Sequence, residues 1–191
     1  MDDEPASGSQ RWYESVLHHV AARCGTEPFA YNPSREYVTT GNPMKPDGFY
    51  FALPGEWMEY VASESSVRDK YVESCVVEAR LGPTVRVVRF TNDLAGVDGS
   101  VGSEDLWLLD EQNVNDFYLT FLRASPFGAF AMSLRFDDVS RLCGGLVVDP
   151  TNHRRGVGAI APIWLSLWDV RTVVVWRNLD RVLASVHVKE Q

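Results

Sequence analysis

The chain has 191 residues, enough for one globular domain that buries a core without disulfides or a structural metal. Apolar residues make up 45% of it and charged residues 23%, which excludes a disordered chain. Its 18 Lys and Arg against 26 Asp and Glu give a net charge of −8, so binding to nucleic acid or to an anionic membrane is not expected.

The three cysteines, Cys24, Cys75 and Cys143, are far apart and form no C-x-x-C motif. This pattern indicates reduced thiols. The N-terminus is acidic where a secretory or transit signal would be basic, and the longest uncharged run is too short to span a bilayer. We therefore expect an intracellular, cytoplasmic protein.

The first half of the chain is predicted to alternate between helices and strands. Residues 1–10, acidic and then rich in Ser and Gly, are expected to be a mobile tail before a single domain over residues 11–191. Trp12, Val16 and Val20 recur at helical spacing and predict a helix over residues 10–23. Residues 26–47, rich in Pro and Asn, predict a long structured loop with a short extended piece at 28–31.

A buried strand is predicted at residues 48–52, followed by a helix that Pro54-Gly55-Glu56 begins. The Val-rich segments 72–81 and 84–90 flank Gly82-Pro83 and predict a β-hairpin.

Residues 91–116 contain seven acidic residues and no Lys or Arg. This charge pattern predicts a solvated acidic insertion that contributes little to the core, with Trp107 as its buried anchor.

The second half is predicted to be rich in strands. A helix is expected at 115–122, strands at 130–136, 143–148 and 172–176, and either a strand or a helix at 181–188. Because the strands do not alternate regularly with helices, the sequence predicts a mixed, strand-heavy α+β domain.

An aromatic cluster is the most informative candidate site. Gly48 and Tyr50 on the predicted strand precede Trp57 and Tyr60 on the predicted helix. Aromatic faces can hold a flat heterocycle, and a glycine allows close approach of the backbone. Asn32 and Arg35 in the preceding loop are the candidate polar contacts. The alternative is that this strand and helix simply bury their own aromatic side chains.

A glycine-rich turn after the strand at 143–148 offers a second candidate. Residues 148–159 include Gly156 and Gly158, and backbone N–H groups in such a turn can surround a pyrophosphate. The segment resembles the pyrophosphate loop of GNAT acetyltransferases, which implies acetyl-CoA binding. His153 stands where that family usually has Arg or Gln, and Pro162 interrupts the helix that should follow.

No metal site is expected. His18 and His19 are adjacent on the predicted helix and would point about 100° apart, too far to share an ion. His153 and His187 have no Cys, Asp or Glu partner at ligand spacing. Motifs for a serine nucleophile, a P-loop or a zinc protease do not occur.

A longer series of motifs carries a resemblance to one family. It begins with Lys45-Pro46-x-Gly48-Phe49-Tyr50-Phe51-Ala52 and Glu56-Trp57-x-x-Tyr60, and it ends with Trp164-x-x-x-Trp168-Asp169-Val170. This order is similar to that of small uncharacterised proteins, many of them from phages and large DNA viruses. The Gly-x-Tyr-Phe-Ala segment also resembles the second motif of H-Y-E ADP-ribosyltransferases, the group that contains diphtheria toxin and the poly-ADP-ribose polymerases.

The resemblance implies an ADP-ribosyltransferase-like fold that binds NAD or a related nucleotide. Tyr50 and Tyr60 match the spacing of the two family tyrosines that enclose nicotinamide. The segment that matches the family's first-motif strand, Phe29-Ala30-Tyr31-Asn32, contains no histidine, and Val147 stands where the family's glutamate is expected. His18 and His19 lie at a plausible sequence distance but on a predicted helix. Asp149 is the nearest acidic residue and the candidate for the catalytic carboxylate, with Tyr50 as the other candidate catalytic residue.

Three functions therefore remain open. The first is an ADP-ribosyltransferase-like protein that binds NAD or a related nucleotide, active or catalytically degenerate. The second is a non-catalytic interaction or structural protein on the same scaffold, viral in type, with an unknown protein partner. The third is a GNAT-type acetyl-CoA-dependent acetyltransferase.

Overall fold

The computed structural model describes residues 11–22, 31–37, 45–64, 74–95, 102–123, 133–150, 168 and 170–190. The predicted tail at 1–10 and the glycine-rich turn at 151–159 lie outside the described residues. No helix within the described ranges is long and apolar enough to cross a membrane.

Strands outnumber helices in the part of the chain that the structure describes. The strands are β1 (Leu17–Ala22), β2 (Phe49–Ala52), β3 (Ser74–Leu81), β4 (Val87–Arg89), β5 (Leu106–Leu109), β6 (Leu122–Arg123), β7 (Ser133–Leu134), β8 (Gly145–Val148), β9 (Thr172–Val175) and β10 (Leu183–Glu190). The helices are α1 (Glu56–Ser63), α2 (Val114–Phe121), α3 (Phe136–Leu142) and α4 (Leu179–Val182), with 3₁₀ turns at Trp12–Glu14 and Asn92–Ala95. The prediction of a mixed, strand-heavy α and β structure is confirmed.

Eight strands form one sheet in the order β10-β3-β1-β2-β9-β8-β5-β4. The strands from β10 to β8 pair antiparallel, whereas β8, β5 and β4 pair parallel. Strands β6 and β7 form a separate two-stranded sheet. Every residue of β8 and β9 is buried, as expected for apolar strands that are covered on both faces.

Two hydrophobic clusters cover the two faces of this sheet. Val173 and Val175 belong to one cluster and Val174 to the other, because successive side chains of a strand point to opposite faces. Helix α2 packs on the Val174 side, where Phe117 lies 5.2 Å from the ring of Phe90.

The predicted helix over residues 10–23 is wrong. After the short 3₁₀ turn, residues 17–22 form β1, whose six residues all pair with β3. Leu17, which the helical spacing omits, is fully buried opposite Ala79. Pairing with distant strands therefore overrides the local helical periodicity.

The predicted hairpin of segments 72–81 and 84–90 is also wrong, although both segments contain a strand. Strand β3 pairs with β1 and β10, and β4 pairs in parallel with β5. At the turn between them, Gly82 N–H donates to the carbonyl of Val182 at 2.8 Å. The turn is thus bonded to the residue before β10, and β4 continues to the far edge of the sheet.

The expectation that residues 91–116 contribute little to the core is wrong, although Trp107 is fully buried as predicted. Residues 106–109 form β5, inside the sheet between β8 and β4. Asp105 is buried because the guanidinium of Arg86 and the backbone N–H of Gly102 both donate to its carboxylate. These bonds offset the cost of removing the charge from water.

Other local predictions hold to different degrees. The strands at 48–52 and 172–176 and the helix at 115–122 correspond to β2, β9 and α2. Of the predicted strand at 130–136, residues 133–134 form β7 and α3 begins at Phe136, whereas residues 130–132 lie outside the described residues. At the C-terminal end, α4 stops at Val182 and most of the segment 181–188 lies in β10.

We expect Gly48→Ala to destabilise the fold. A Cβ at position 48 would overlap Cγ2 of Val174 and lie 3.1 Å from the carbonyl oxygen of Val175. Overpacking of this kind costs about 1–3 kcal/mol, which urea denaturation monitored by circular dichroism would measure. Gly102→Ala is the matched control, because its Cβ would have only ordinary contacts, the nearest at 3.4 Å. Equal free energies of unfolding for the two variants would contradict the expectation.

Candidate functional site

A cavity of about 690 Å³ opens beside β1, β2 and the beginning of α1. Ligand pockets for small molecules have volumes of about 300–1,000 Å³, so this one has a suitable size. The residues that line it are His18, His19, Val20, Arg35, Glu36, Tyr37, Lys45, Pro46, Asp47, Gly48, Tyr50, Phe51, Ala52, Trp57, Trp168, Val170 and Thr172.

Three aromatic side chains form much of the cavity wall. Along β2, Phe49 and Phe51 are buried in one core, whereas Tyr50 points to the other face of the sheet. The rings of Tyr50 and Trp168 have centroids 6.1 Å apart. Trp57, at the beginning of α1, lines the same cavity.

The Tyr50 hydroxyl donates a hydrogen bond to the carbonyl of Pro46. Burial, with a smaller contribution from the nearby charge of Asp47, raises the pKa of Tyr50 well above its usual value. The phenol therefore stays protonated at neutral pH, and its proton is engaged by the carbonyl. In this arrangement the ring of Tyr50 forms part of the cavity wall.

Charged side chains of both signs border the cavity. Lys45 Nζ lies 5.3 Å from the centroid of the Trp168 ring, and the Arg35 guanidinium lies 4.7 Å from that of Tyr37. These distances are typical of cation–π contacts. Glu36 and Asp47 add two carboxylates to the same lining.

His18 and His19 lie on β1, so the helical arrangement expected for them is wrong, and they point to opposite faces of the sheet. His18 lies opposite Ala52 in the register, on the face that carries Tyr50. Its Nε2 is 3.2 Å from Glu78 Oε1, which also accepts a bond from Lys189 Nζ at 2.6 Å. The hydrogen bond from Lys189, with further help from its charge and from His18, lowers the pKa of Glu78.

His19 is enclosed on the other face. Its ring lies 4.2 Å from the centroid of Phe49, and Nδ1 donates to the carbonyl of Tyr50 at 2.7 Å. Burial lowers the pKa of His19, although the hydrogen bond to Tyr50 partly opposes that effect. The neutral imidazole with a proton on Nδ1 therefore links β1 to the strand that carries Tyr50.

Four of the predicted site residues border the cavity, namely Arg35, Gly48, Tyr50 and Trp57. Gly48 is closely packed against β9, so steric contact with Val174 accounts for the glycine there.

Three of the predicted residues do not line the cavity. The side-chain oxygen of Asn32 accepts from Ser34 N–H at 3.0 Å within an exposed turn. The ring centroid of Tyr60 lies 5.3 Å from that of Trp57, so Tyr60 packs against a residue of the cavity wall. Asp149 Oδ2 accepts a hydrogen bond from Trp12 Nε1 at 3.0 Å.

Lys45, Tyr37 and Trp168 were not singled out as site residues by the sequence. Lys45 and Trp168 belong to the motifs quoted for the resemblance, but they are 123 positions apart, and only the fold brings them together. Nothing in the sequence indicates that a lysine and an aromatic residue from separate motifs line the same cavity.

The arrangement of possible metal ligands and the burial of one cysteine can be read from the described residues. Within them, no group of three or more His, Cys, Asp or Glu side chains is arranged to hold a metal ion. Burial raises the pKa of the Cys143 thiol, so this side chain remains an unreactive thiol.

We expect acid to destabilise the protein partly through His19. Because burial lowers the pKa of His19 in the folded state, the unfolded chain binds the proton first as the pH falls below about 6.5. This contribution to stability is present above that pH and is lost progressively below it. Urea midpoints at pH 7 and pH 5.5 should therefore differ less in His19→Gln than in the wild type. His187→Gln, at an exposed position of β10, is the control and should keep the wild-type difference.

Comparisons of the chain with protein-family models, with curated proteins and with solved structures find no match. These comparisons therefore provide no relative or structural neighbour that supports the resemblance to ADP-ribosyltransferases. What the chain can bind must be judged from the residues that line the cavity.

Proposed function

We propose that the cavity binds NAD or a related nucleotide, and that the protein is ADP-ribosyltransferase-like with binding retained and transfer chemistry degenerate. The observation that carries the proposal is the convergence of aromatic and cationic side chains in one cavity of suitable size. A nucleotide combines a flat heterocycle with phosphates, and these two kinds of side chain complement its two parts.

The heterocycle would lie among the aromatic side chains. Trp57, Tyr50 and Trp168 present rings to the cavity, and offset stacking on such rings is favourable for nicotinamide or adenine. Because the Tyr50 hydroxyl is held by Pro46, its ring has a fixed orientation and loses little entropy on binding.

The phosphates and the ribose would lie toward the charged border. Arg35 and Lys45 supply cations of the type that bind phosphate oxygens, and Glu36 and Asp47 can accept hydrogen bonds from ribose hydroxyls. This mixture of charges favours a nucleotide over a purely anionic or purely apolar ligand.

The position of β1 adds support from the family resemblance. In H-Y-E transferases the first-motif histidine lies on a strand before the tyrosine, and here β1 with His18 pairs with β2, which carries Tyr50. The candidate catalytic carboxylate gives the family resemblance less support, since Asp149 accepts a hydrogen bond from Trp12 and does not line the cavity. A bound nucleotide without a well-placed carboxylate would react slowly, because ribosyl transfer needs stabilisation of a cationic transition state.

Binding is tested by titrating the protein with NAD, ADP-ribose and acetyl-CoA in a calorimeter. We expect NAD to bind, and Trp57→Ala to weaken it roughly 10-fold or more, because stacking of a base on an aromatic side chain is worth about 1–3 kcal/mol. Leu119→Ala is the control, since this residue of α2 is 71% exposed and does not line the cavity. Binding of acetyl-CoA alone would favour the GNAT hypothesis, and no binding of any of the three would favour a non-catalytic interaction protein.

The role of Tyr50 is tested by separating its ring from its hydroxyl. We expect Tyr50→Phe to retain NAD affinity within about 3-fold and Tyr50→Ala to lose most of it, because the ring forms the wall and the hydroxyl is engaged by Pro46. Release of nicotinamide, measured by chromatography, should be slow in the wild type. Robust turnover that Tyr50→Ala leaves unchanged would refute both the site and the claim of degenerate chemistry.

A further inference from the structure

Glu56, the first residue of α1, forms several hydrogen bonds with Arg171, the residue before β9. Glu56 Oε1 accepts from Arg171 Nε at 2.7 Å and from Nη2, and Oε2 accepts from the Arg171 backbone N–H at 3.2 Å. Both side chains are largely withdrawn from solvent, with exposed fractions of 22% and 29%. Charge-assisted bonds in such a fork constrain both distance and orientation.

The two residues of this ion pair adjoin the cavity without lining it. Trp57 follows Glu56 directly, and Val170 and Thr172 flank Arg171. Each of these three neighbours lines the cavity. The pair therefore links α1, which carries Trp57 of the cavity lining, to the start of β9, where Val170 and Thr172 line the cavity.

No side chain of the described residues caps the N-terminus of α1. Gly55, in the N-cap position, has no side chain that could cap the helix, and its φ of 90° lies in the left-handed region that favours glycine. Hinge residues lie at the ends of elements and are often small, as Gly55 is. The Glu56–Arg171 pair is a tertiary contact at this same end of the helix, beside Trp57.

Arg171 also contacts the ring of Trp12. Its guanidinium lies 5.8 Å from the centroid of the Trp12 ring, and Trp12 Nε1 donates to Asp149 at the end of β8. Trp12 thus contacts both the predicted catalytic carboxylate of Asp149 and the Arg171 member of the ion pair.

We propose that Glu56 and Arg171 are positioning residues that hold Trp57 in the orientation needed for ligand binding. The effect on the ligand rests on the proposed function, whereas the effect on Trp57 does not. Without the pair, α1 pivots at Gly55 and Trp57 occupies its place in the wall for only part of the time. If that fraction falls to about one fifth, the apparent Kd rises roughly 5-fold.

The orientation of Trp57 is measured first, without any ligand. Protein labelled with 5-fluorotryptophan gives one fluorine resonance for each of the six tryptophans, and Trp57→Phe assigns the one of interest. We expect Arg171→Gln and Glu56→Gln to shift or broaden the Trp57 resonance, and Arg171→Lys to have an intermediate effect. Arg181→Gln is the matched control, because it breaks an ion pair of 2.7 Å to Glu104 that is remote from the cavity lining.

NAD affinity is then measured for the same variants together with their free energies of unfolding. A roughly 5-fold higher Kd in Arg171→Gln, with the Arg181→Gln variant at the wild-type value, supports the positioning role. An unmoved Trp57 resonance in both Arg171→Gln and Glu56→Gln overturns the inference. A shifted resonance with wild-type affinity overturns it as well, since the orientation would then not matter for binding. If the wild type does not bind NAD, the proposed function fails, and the fluorine spectra still decide whether the pair positions Trp57.

Discussion

Strand β9 joins the two halves of the large sheet, because it pairs with β2 on one side and with β8 on the other. Its residues Val173, Val174 and Val175 are fully buried, so both of its faces are covered by hydrophobic clusters. A polar substitution at one of these three valines would place a polar group in the core without a hydrogen-bond partner. Of the two strands that border the cavity, β2 pairs directly with β9 and β1 pairs with β2 and β3.

The cavity follows from this arrangement through the alternation of side chains along β2. Tyr50 pairs with Val174 and points to one face, whereas Phe49 and Phe51 point to the other and are buried there. The same alternation on β1 places His18 toward Tyr50 and His19 against Phe49. Neighbouring residues of two strands thus serve the core and the site at once, which makes the site difficult to change without affecting the fold.

The sequence predicts the strands whose apolar pattern is uniform. It does not predict the strands whose formation depends on pairing with strands distant in the chain. Strand β9 and the helix α2 could be predicted because a Val run or a regular apolar spacing admits few alternatives. Strand β1 could not, since Trp12, Val16 and Val20 also fit a helix and only pairing with β3 decides the matter. Asp105 was expected in solvent because the sequence does not reveal that Arg86 would compensate its charge. In the site, Trp57 followed from a local aromatic motif, whereas the proximity of Lys45 to Trp168 required the fold.

Binding and catalysis place different demands on such a cavity, and the described residues meet the first better than the second. Binding needs apolar area and complementary charge, which Trp57, Lys45 and their neighbours provide even if each is placed only approximately. Transfer chemistry needs groups that stabilise the transition state more than the ground state, held within about 1 Å of the productive geometry. The carboxylates at the cavity, Glu36 and Asp47, come from loops, and Asp149 is bonded to Trp12 instead. The proposed function, nucleotide binding without efficient transfer, follows from this difference between the aromatic wall and the position of the carboxylates.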